Sequence, residues 1–198
     1  ANLTNTRMFA GPFPYTLVKE KFNEGILSCG YSVTDKADGE RYHLYVNREG
    51  NMFLINRKKE ISFVGFCNLK QTIIDGELLD NKDFYCFDML FYNSIDRRQQ
   101  MLIPRLEALG SALKEIKTTN SKLTLKCKTF YYKQNDKFYK ISKGKCSQHR
   151  LSNEYHIGEL SYNLWINREK FYSKYTLDGL IYTPLLKEYF NKEIYKWK

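Results

Sequence analysis

Thr72-Ile-Ile-Asp-Gly-Glu-Leu-Leu79 and Phe84-Tyr-Cys-Phe-Asp-Met-Leu-Phe91 are two apolar runs joined by the polar stretch Asp80-Asn81-Lys82-Asp83. Both are short and rich in β-branched and aromatic side chains, and the link between them has turn chemistry. They read as the two strands of a hairpin. Asp75 and Glu77 lie inside the first run. A carboxylate there is costly to bury unless it meets a cation, a metal or hydrogen-bond donors, so this hairpin is expected to carry part of a site.

The same grammar extends upstream. Arg41 to Val46 (RYHLYV) and Met52 to Asn56 (MFLIN) flank Asn47-Arg-Glu-Gly-Asn51, where Gly50 suits a positive φ, and they read as another hairpin. Ile61 to Phe66 (ISFVGF) adds a strand. Downstream the period changes: Leu102, Leu106, Leu109, Leu113 and Ile116 form a helical stripe, with Pro104 in the first turn, where its missing N–H costs little. Leu123 to Ile141 returns to alternating, Tyr-rich strand character. Residues 142–172 are polar and basic, with helical spacing near Leu160 to Phe171, and Leu177 to Thr183 is a strand again. The result is an α+β domain of antiparallel sheets with flanking helices.

The 198 residues suit one domain, and 42% hydrophobic with 27% charged residues is the balance of a globular chain. No apolar run approaches the ~20 residues that span a bilayer. The N-terminus lacks the pattern of a signal peptide, so a cytoplasmic location is expected. Cys29, Cys67, Cys86, Cys127 and Cys146 are scattered and odd in number, which argues against a zinc site or a disulfide framework. His43, His149 and His156 are equally dispersed. A net charge of +10 points to a polyanionic partner, nucleic acid or a nucleoside triphosphate.

Five short stretches carry chemistry. Lys36-Ala-Asp-Gly39-Glu-Arg41, just before a strand, offers a lysine nucleophile. Arg41 is a nearby cation that favours the neutral amine, and Gly39 is suited to a tight turn with room for a phosphate. Asp75-Gly-Glu77 suggests contact with a nucleotide sugar or Mg²⁺. Phe87 offers a planar face to a purine. Asp178-Gly-Leu-Ile181 lies in a later strand. Lys196-Trp-Lys198, if extended, presents two ammonium groups on one face and Trp197 on the other, an arrangement suited to a triphosphate. Each stretch alone has a bland reading: a charged turn, a surface bulge, a core aromatic, a solvated tail.

Together, and in this order, the five resemble the motifs of the covalent lysyl-nucleotidyltransferases, the family of polynucleotide ligases and mRNA capping guanylyltransferases. The likeness runs from about residue 34 to residue 198. Ligases usually carry Glu where this chain has Asp178; Asp178 to Pro184 and Lys196-Trp-Lys198 look like the capping form, that of large cytoplasmic DNA viruses in particular. Phe53-Leu-Ile-Asn-Arg57 resembles a capping segment ending in Asp-Arg, with Asn56 as the departure.

The resemblance implies an ATP-grasp-like nucleotidyltransferase domain in which Lys36 attacks the α-phosphate of GTP to form Lys36–GMP. Arg41, Lys196 and Lys198 would hold phosphates, Arg57 and Glu77 the ribose, and Phe87 and Ile181 the base. Asp178 and Glu77 would bind Mg²⁺ or Mn²⁺. The acceptor would be a 5′-diphosphate RNA end. Family members carry a C-terminal OB-fold, and the viral ones carry triphosphatase and methyltransferase domains in the same polypeptide. Residues 1–198 are therefore expected to be one nucleotidyltransferase domain of a larger enzyme. An ATP-dependent RNA or DNA ligase adenylation domain is the alternative. A binding module that retains the fold without turnover is disfavoured by the intact Lys36, Lys196 and Lys198.

Overall fold

A computed structural model describes residues 11–26, 30–80, 82–135, 137–148, 156–171, 175–191 and 193–198. Cys29 and His149, and part of the 142–172 stretch, lie outside the described residues. In chain order come β1 (Tyr15–Thr16), the single-turn α1 (Lys19–Lys21), β2 (Tyr31–Ala37), β3 (Glu40–Val46), β4 (Asn51–Asn56), β5 (Ile61–Cys67), β6 (Thr72–Leu79), β7 (Asp83–Tyr92) and β8 (Ile95–Asp96). Then follow α2 (Leu102–Glu115), β9 (Thr118–Thr119), β10 (Thr124–Cys127), β11 (Phe130–Gln134), β12 (Lys137–Ser142), β13 (Lys145–Gln148), α3 (Ile157–Ile166), α4 (Arg168–Phe171), β14 (Leu177–Pro184) and β15 (Tyr195–Trp197).

The strands form two sheets. The first runs β1-β15-β14-β2-β11-β12-β13; the second runs β10-β7-β6-β3-β4-β5-β9, with β8 paired to β7. The expected hairpins are present: β3 with β4 and β6 with β7 pair antiparallel, and Gly50 sits at φ +89°. Two edge pairings, β1 with β15 and β10 with β7, are parallel and were not anticipated. The stretch 123–141 is three strands rather than one alternating run.

Helix α2 follows its sequence stripe. Leu102, Leu106, Leu109 and Ala112 share one core with Leu44, Leu54, Ile74 and Met89, so α2 covers one face of the second sheet. Burying a side chain of this size contributes about 1.5–3 kcal/mol. Helix α3 does the same for the first sheet, with Leu160 and Leu164 against Val33, Leu180 and Tyr182. It starts at Ile157 and breaks at Asn167, earlier than the 160–171 spacing suggested. The faces that neither helix covers meet across a cleft. Among the described residues no helix is long and apolar enough to cross a membrane.

Candidate active site

The nucleophile candidate is not where its sequence neighbours suggest. Lys36 lies inside β2, a strand of the first sheet, and Asp38-Gly39 carries the chain across to β3 in the second. The charged end of β2 escapes notice because Asp35 and Lys36 interrupt its apolar alternation. Both are accommodated by partners far off in sequence. Gly39 is required for a reason other than phosphate room: a Cβ there would meet Leu78 O at 2.7 Å and Leu79 Cδ2 at 2.4 Å. The turn is pressed against β6.

Opposite Lys36, β14 bulges. The register runs Ala37↔Leu177 and then Asp35↔Leu180, so Asp178 and Gly179 together face Lys36. Gly179 has φ +121°, and a Cβ on it would lie 1.9 Å from Trp197 O; only glycine fits. The bulge aims Asp178 at Lys36, with which it is ion-paired, and at Lys198, whose Nζ is 2.7 Å from the same Oδ2. Hydrogen bonds from Lys198 and Lys36 hold the Asp178 carboxyl below the usual carboxylate range. Strand alternation in β15 is as expected: Lys196 and Lys198 line the cleft, while Trp197 points away and meets Trp165 edge-on at 5.0 Å.

The second sheet supplies the other wall. Asp75 is fully buried and takes Arg41 in a two-pronged pair, Nε to Oδ1 at 3.0 Å and Nη2 to Oδ2, with Tyr189 also donating to Oδ2. Burial alone would push the Asp75 pKa up, but the charges of Arg41 and His43 and these hydrogen bonds outweigh it and hold the pKa down. Glu77 accepts from Lys128 Nζ at 2.8 Å and from Gly39 N at 3.3 Å. Lys128 is buried against Asp35 as well, at 3.3 Å, and Tyr175 donates to Asp35 at 2.7 Å. Asp88 takes Arg105 from α2 in a second two-pronged pair, at 2.8 and 3.0 Å.

These walls enclose a cleft of about 470 Å³. Lys36, Arg41, Arg57, Glu77, Phe87, Ile181, Lys196 and Lys198 all line it, and Asp178 joins them through its two ion pairs. Residues 160 or so positions apart in sequence thus converge. Two expected details change. Arg41 is clamped by Asp75 beside the Phe87 ring, 5.5 Å from its centroid, so its charge is already matched; Lys196 and Lys198 bring their ammonium groups to the cleft from the other wall. Glu77 is committed to Lys128 and the Gly39 amide, leaving Asp178 as the acid facing only exposed or half-exposed lysines.

Asn56, where the resembling segments have Asp, is buried and caps its own turn: Oδ1 accepts from the amides of Lys58 and Glu60, each at 3.0 Å. The side-chain carbonyl does there what a carboxylate oxygen would do. Sequence reading missed Phe13, Asp35, Lys128, Arg105 and Tyr189. The one available signal was two acids, Asp75 and Glu77, in an apolar strand without a named cation. Phe13 packs on the Arg57 guanidinium at 4.3 Å, from a segment with no readable pattern.

A model of the family described as mRNA capping enzyme, catalytic domain, matches residues 2–198. The chain belongs to that family. Among capping-enzyme relatives, the mRNA-capping enzyme of African swine fever virus is 36% identical over 99 residues, 49% of this chain and 11% of that protein. The mRNA-capping enzyme subunit alpha of Yarrowia lipolytica is 30% identical over 127 residues, 53% of this chain and 32% of that protein. The chain therefore spans well under two thirds of the length of these relatives. Among solved structures, mycobacterial DNA ligase D complexed with ATP and MES covers 95% of this chain and 58% of its own, at TM-score 0.53 and 12% identity. That likeness shows a fold that this chain shares with the ligase.

Proposed function

We propose that this domain transfers GMP from GTP to a 5′-diphosphate RNA end through a covalent Lys36–GMP intermediate. What carries the reading is the company Lys36 keeps. Its amine shares one cleft with Lys196, Lys198, Arg57 and the Phe87 ring, in a chain of the capping-enzyme family.

In the first step the Lys36 amine gives up a proton to solvent as it leaves Asp178, forms a P–N bond to the α-phosphorus and loses a second proton, and the bond to the bridging oxygen breaks with its electrons leaving on pyrophosphate. Lys196 and Lys198 offset the phosphate charge, with Lys198 leaving Asp178 to do so. Phe87 and Ile181 hold the base, and Arg57 and Glu77 the ribose. In the second step a terminal oxygen of the RNA diphosphate attacks the same phosphorus, the P–N bond breaks and Lys36 takes up a proton.

Asp178, with the phosphate oxygens of the substrate, fits a hard divalent cation such as Mg²⁺ or Mn²⁺, which commonly uses one or two carboxylates plus phosphates. Such a cation would stabilise charge on the transferring phosphoryl group. Glu77 would join only by giving up Lys128. The reading extends to triphosphatase and methyltransferase domains in one polypeptide, consistent with the small share of the viral relative that aligns. It also includes a cytoplasmic site of action, in a viral factory or virion if the chain is viral.

In the full-length enzyme, incubation with α-labelled GTP and a divalent cation should give an acid-labile protein adduct. Lys36→Arg stays protonated and should abolish it while the fold is kept. An adduct that forms from ATP and not GTP would move the domain to the ligases, and one that survives Lys36→Arg would remove Lys36 from the mechanism.

A further inference from the structure

The face of the second sheet that lines the cleft continues well past it. Along β3 the alternation that aims Arg41 at the cleft also puts His43 and Tyr45 on that face, while Leu44 and Val46 turn into the core under α2. Along β4, Phe53 and Ile55 share one face, and Arg57 follows in the turn just past the strand. The pairings Tyr45↔Phe53 and Phe53↔Phe63 set three rings side by side across β3, β4 and β5. Their centroids are 6.3 and 5.7 Å apart, and Phe66 extends the row at 5.1 Å from Phe63.

The last step needs a device, because residues three apart in a regular strand face opposite ways. A bulge supplies it: Met52 pairs with Gly65 and Phe53 with Phe63. Gly65, at φ +131°, leaves no room for a Cβ beside Asn120 O at 2.8 Å. Phe63 and Phe66 thereby share one face and remain 44% and 41% exposed. Toward β6 and β7 the same face is covered by Tyr189, which packs with Ile73, Leu90 and Phe91 and partly buries Tyr45; on β5 the Phe63 and Phe66 rings stay exposed.

Charge favours one occupant. Between residues 45 and 70 the chain carries Arg48, Arg57, Lys58, Lys59 and Lys70 against only Glu49 and Glu60, and Glu60 is bound to Asn56. Four residues of β3 separate Arg41 from Tyr45, about 13 Å at ~3.3 Å per residue. That distance is about four stacked nucleotides at ~3.4 Å each.

We infer that this aromatic row is the track of the acceptor RNA: the bases behind its 5′ end stack on Phe53, Phe63 and Phe66, with the partly covered Tyr45 at the cleft end of the row, while the exposed Lys58 and Lys59 meet its phosphates. The inference rests on the RNA-acceptor reading above. Stacked rings flanked by cations suit single-stranded nucleic acid, since every base offers a π face. The row is also continuous with the cleft in which that RNA end would react.

The test uses 5′-diphosphate RNAs labelled at the 3′ end, a dinucleotide and a dodecamer, with binding read by fluorescence anisotropy. Phe63→Ala with Phe66→Ala should weaken the dodecamer about tenfold or more. It should leave the dinucleotide, GTP binding and Lys36 labelling unchanged, and Phe63→Trp should retain dodecamer affinity. In the unaltered protein, 4-thiouridine at the third to fifth nucleotides should crosslink within residues 45–66, a result that does not depend on any variant folding. Crosslinks elsewhere, or a double variant that melts like the parent and binds the dodecamer as tightly, would overturn the track and leave the rings to a protein partner. Failure of Lys36 labelling with the length-dependent loss intact removes guanylyl transfer and spares the track; intact labelling with no loss removes the track alone.

Discussion

The two walls of the cleft handle charge in opposite ways. On the wall built from β2, β14 and β15 the charges gathered at Lys36 are half exposed: Lys36 is 21%, Asp178 31% and Lys198 55% accessible at the side chain, and two lysines share one carboxylate oxygen. On the wall built from β3, β6 and β7 they are buried and matched: Arg41 on Asp75, Arg105 on Asp88, and Glu77 on Lys128, which also reaches across to the buried Asp35 of β2. Two of those three pairs use arginine in a two-pronged fork, whose fixed geometry holds a partner in one orientation. Lysine, a point charge on a flexible stem, changes partner at lower cost. Under the proposed function, the contrast separates groups that would let go of one another when a triphosphate arrives from groups that keep the pocket's shape.

The largest effect expected from this contrast is on stability, and on the buried wall. Arg105→Ala strands Asp88, which burial already pushes above the usual carboxylate range despite the arginine. Removing one partner of such a pair costs about 3–5 kcal/mol. Chemical denaturation would measure it. Replacing both residues with apolar groups, Asp88→Leu with Arg105→Met, should recover much of the loss, because the stranded charge is then gone. A double variant as unstable as the sum of the singles would mean that the pair holds the fold in some way beyond its charge.

On the other wall the balance should reverse. Lys198→Ala removes an exposed ion pair, worth about 0–1 kcal/mol of stability after solvent screening. It also removes a cation from the phosphate side of the cleft, where a charged hydrogen bond contributes about 1.5–3 kcal/mol. GTP affinity should therefore fall about tenfold or more, less so at high salt, while the melting temperature barely moves. Titration calorimetry beside a thermal melt separates the two effects. If Lys198→Ala unfolds the domain as readily as Arg105→Ala does, the two walls do not differ in the way described.

How legible each wall was follows from the same physics. The hairpins from Arg41 to Phe91 and helix α2 announce themselves by period, because each has one face in a continuous core. The candidate residues of the wall around Lys36 carry local patterns: Lys36 with Asp38-Gly39, Asp178 with Gly179, Lys196 with Lys198. The matched wall was half visible. Asp75 and Glu77 advertised a need for cations, but nothing near them in sequence named Lys128, Arg105 or Tyr189. Long-range ion pairs leave no periodic trace. Strand β2 was hidden for a related reason: Asp35 and Lys36 break its alternation, and their partners Tyr175, Lys128 and Asp178 lie 93 to 142 positions away. The aromatic row also escaped, since Phe63 and Phe66 appear out of phase until the bulge at Gly65 is known.

The smallest expected effect is on pH, and it asks which wall acid loosens first. His43 is buried beside Asp75, 3.8 Å from Oδ1, and burial lowers its pKa, with Arg41 adding to that and Asp75 opposing it. The unfolded chain binds a proton at this position below pH ~6.5 and the folded chain resists it, so stability falls as pH drops through that window. Asp178 and Asp75 have lowered pKa values; their contributions persist until the pH falls below the usual carboxylate range and do not change here. Asp88, with a raised pKa, works the other way and gives back some stability as it protonates. Comparing the parent with His43→Gln cancels that term. Between about pH 7.5 and 5.5 the parent should lose stability faster than the variant, by at most about 1.4 kcal/mol per pH unit. Thermal melts across that range would show it as a narrowing of the gap between the two curves. Lys36 labelling, read at a temperature where both proteins stay folded, should meanwhile keep the two enzymes in constant ratio, because Asp178 remains ionised throughout. A gap that stays constant with pH would clear His43, and a labelling ratio that moves while both stay folded would show that the buried wall reaches the chemistry directly.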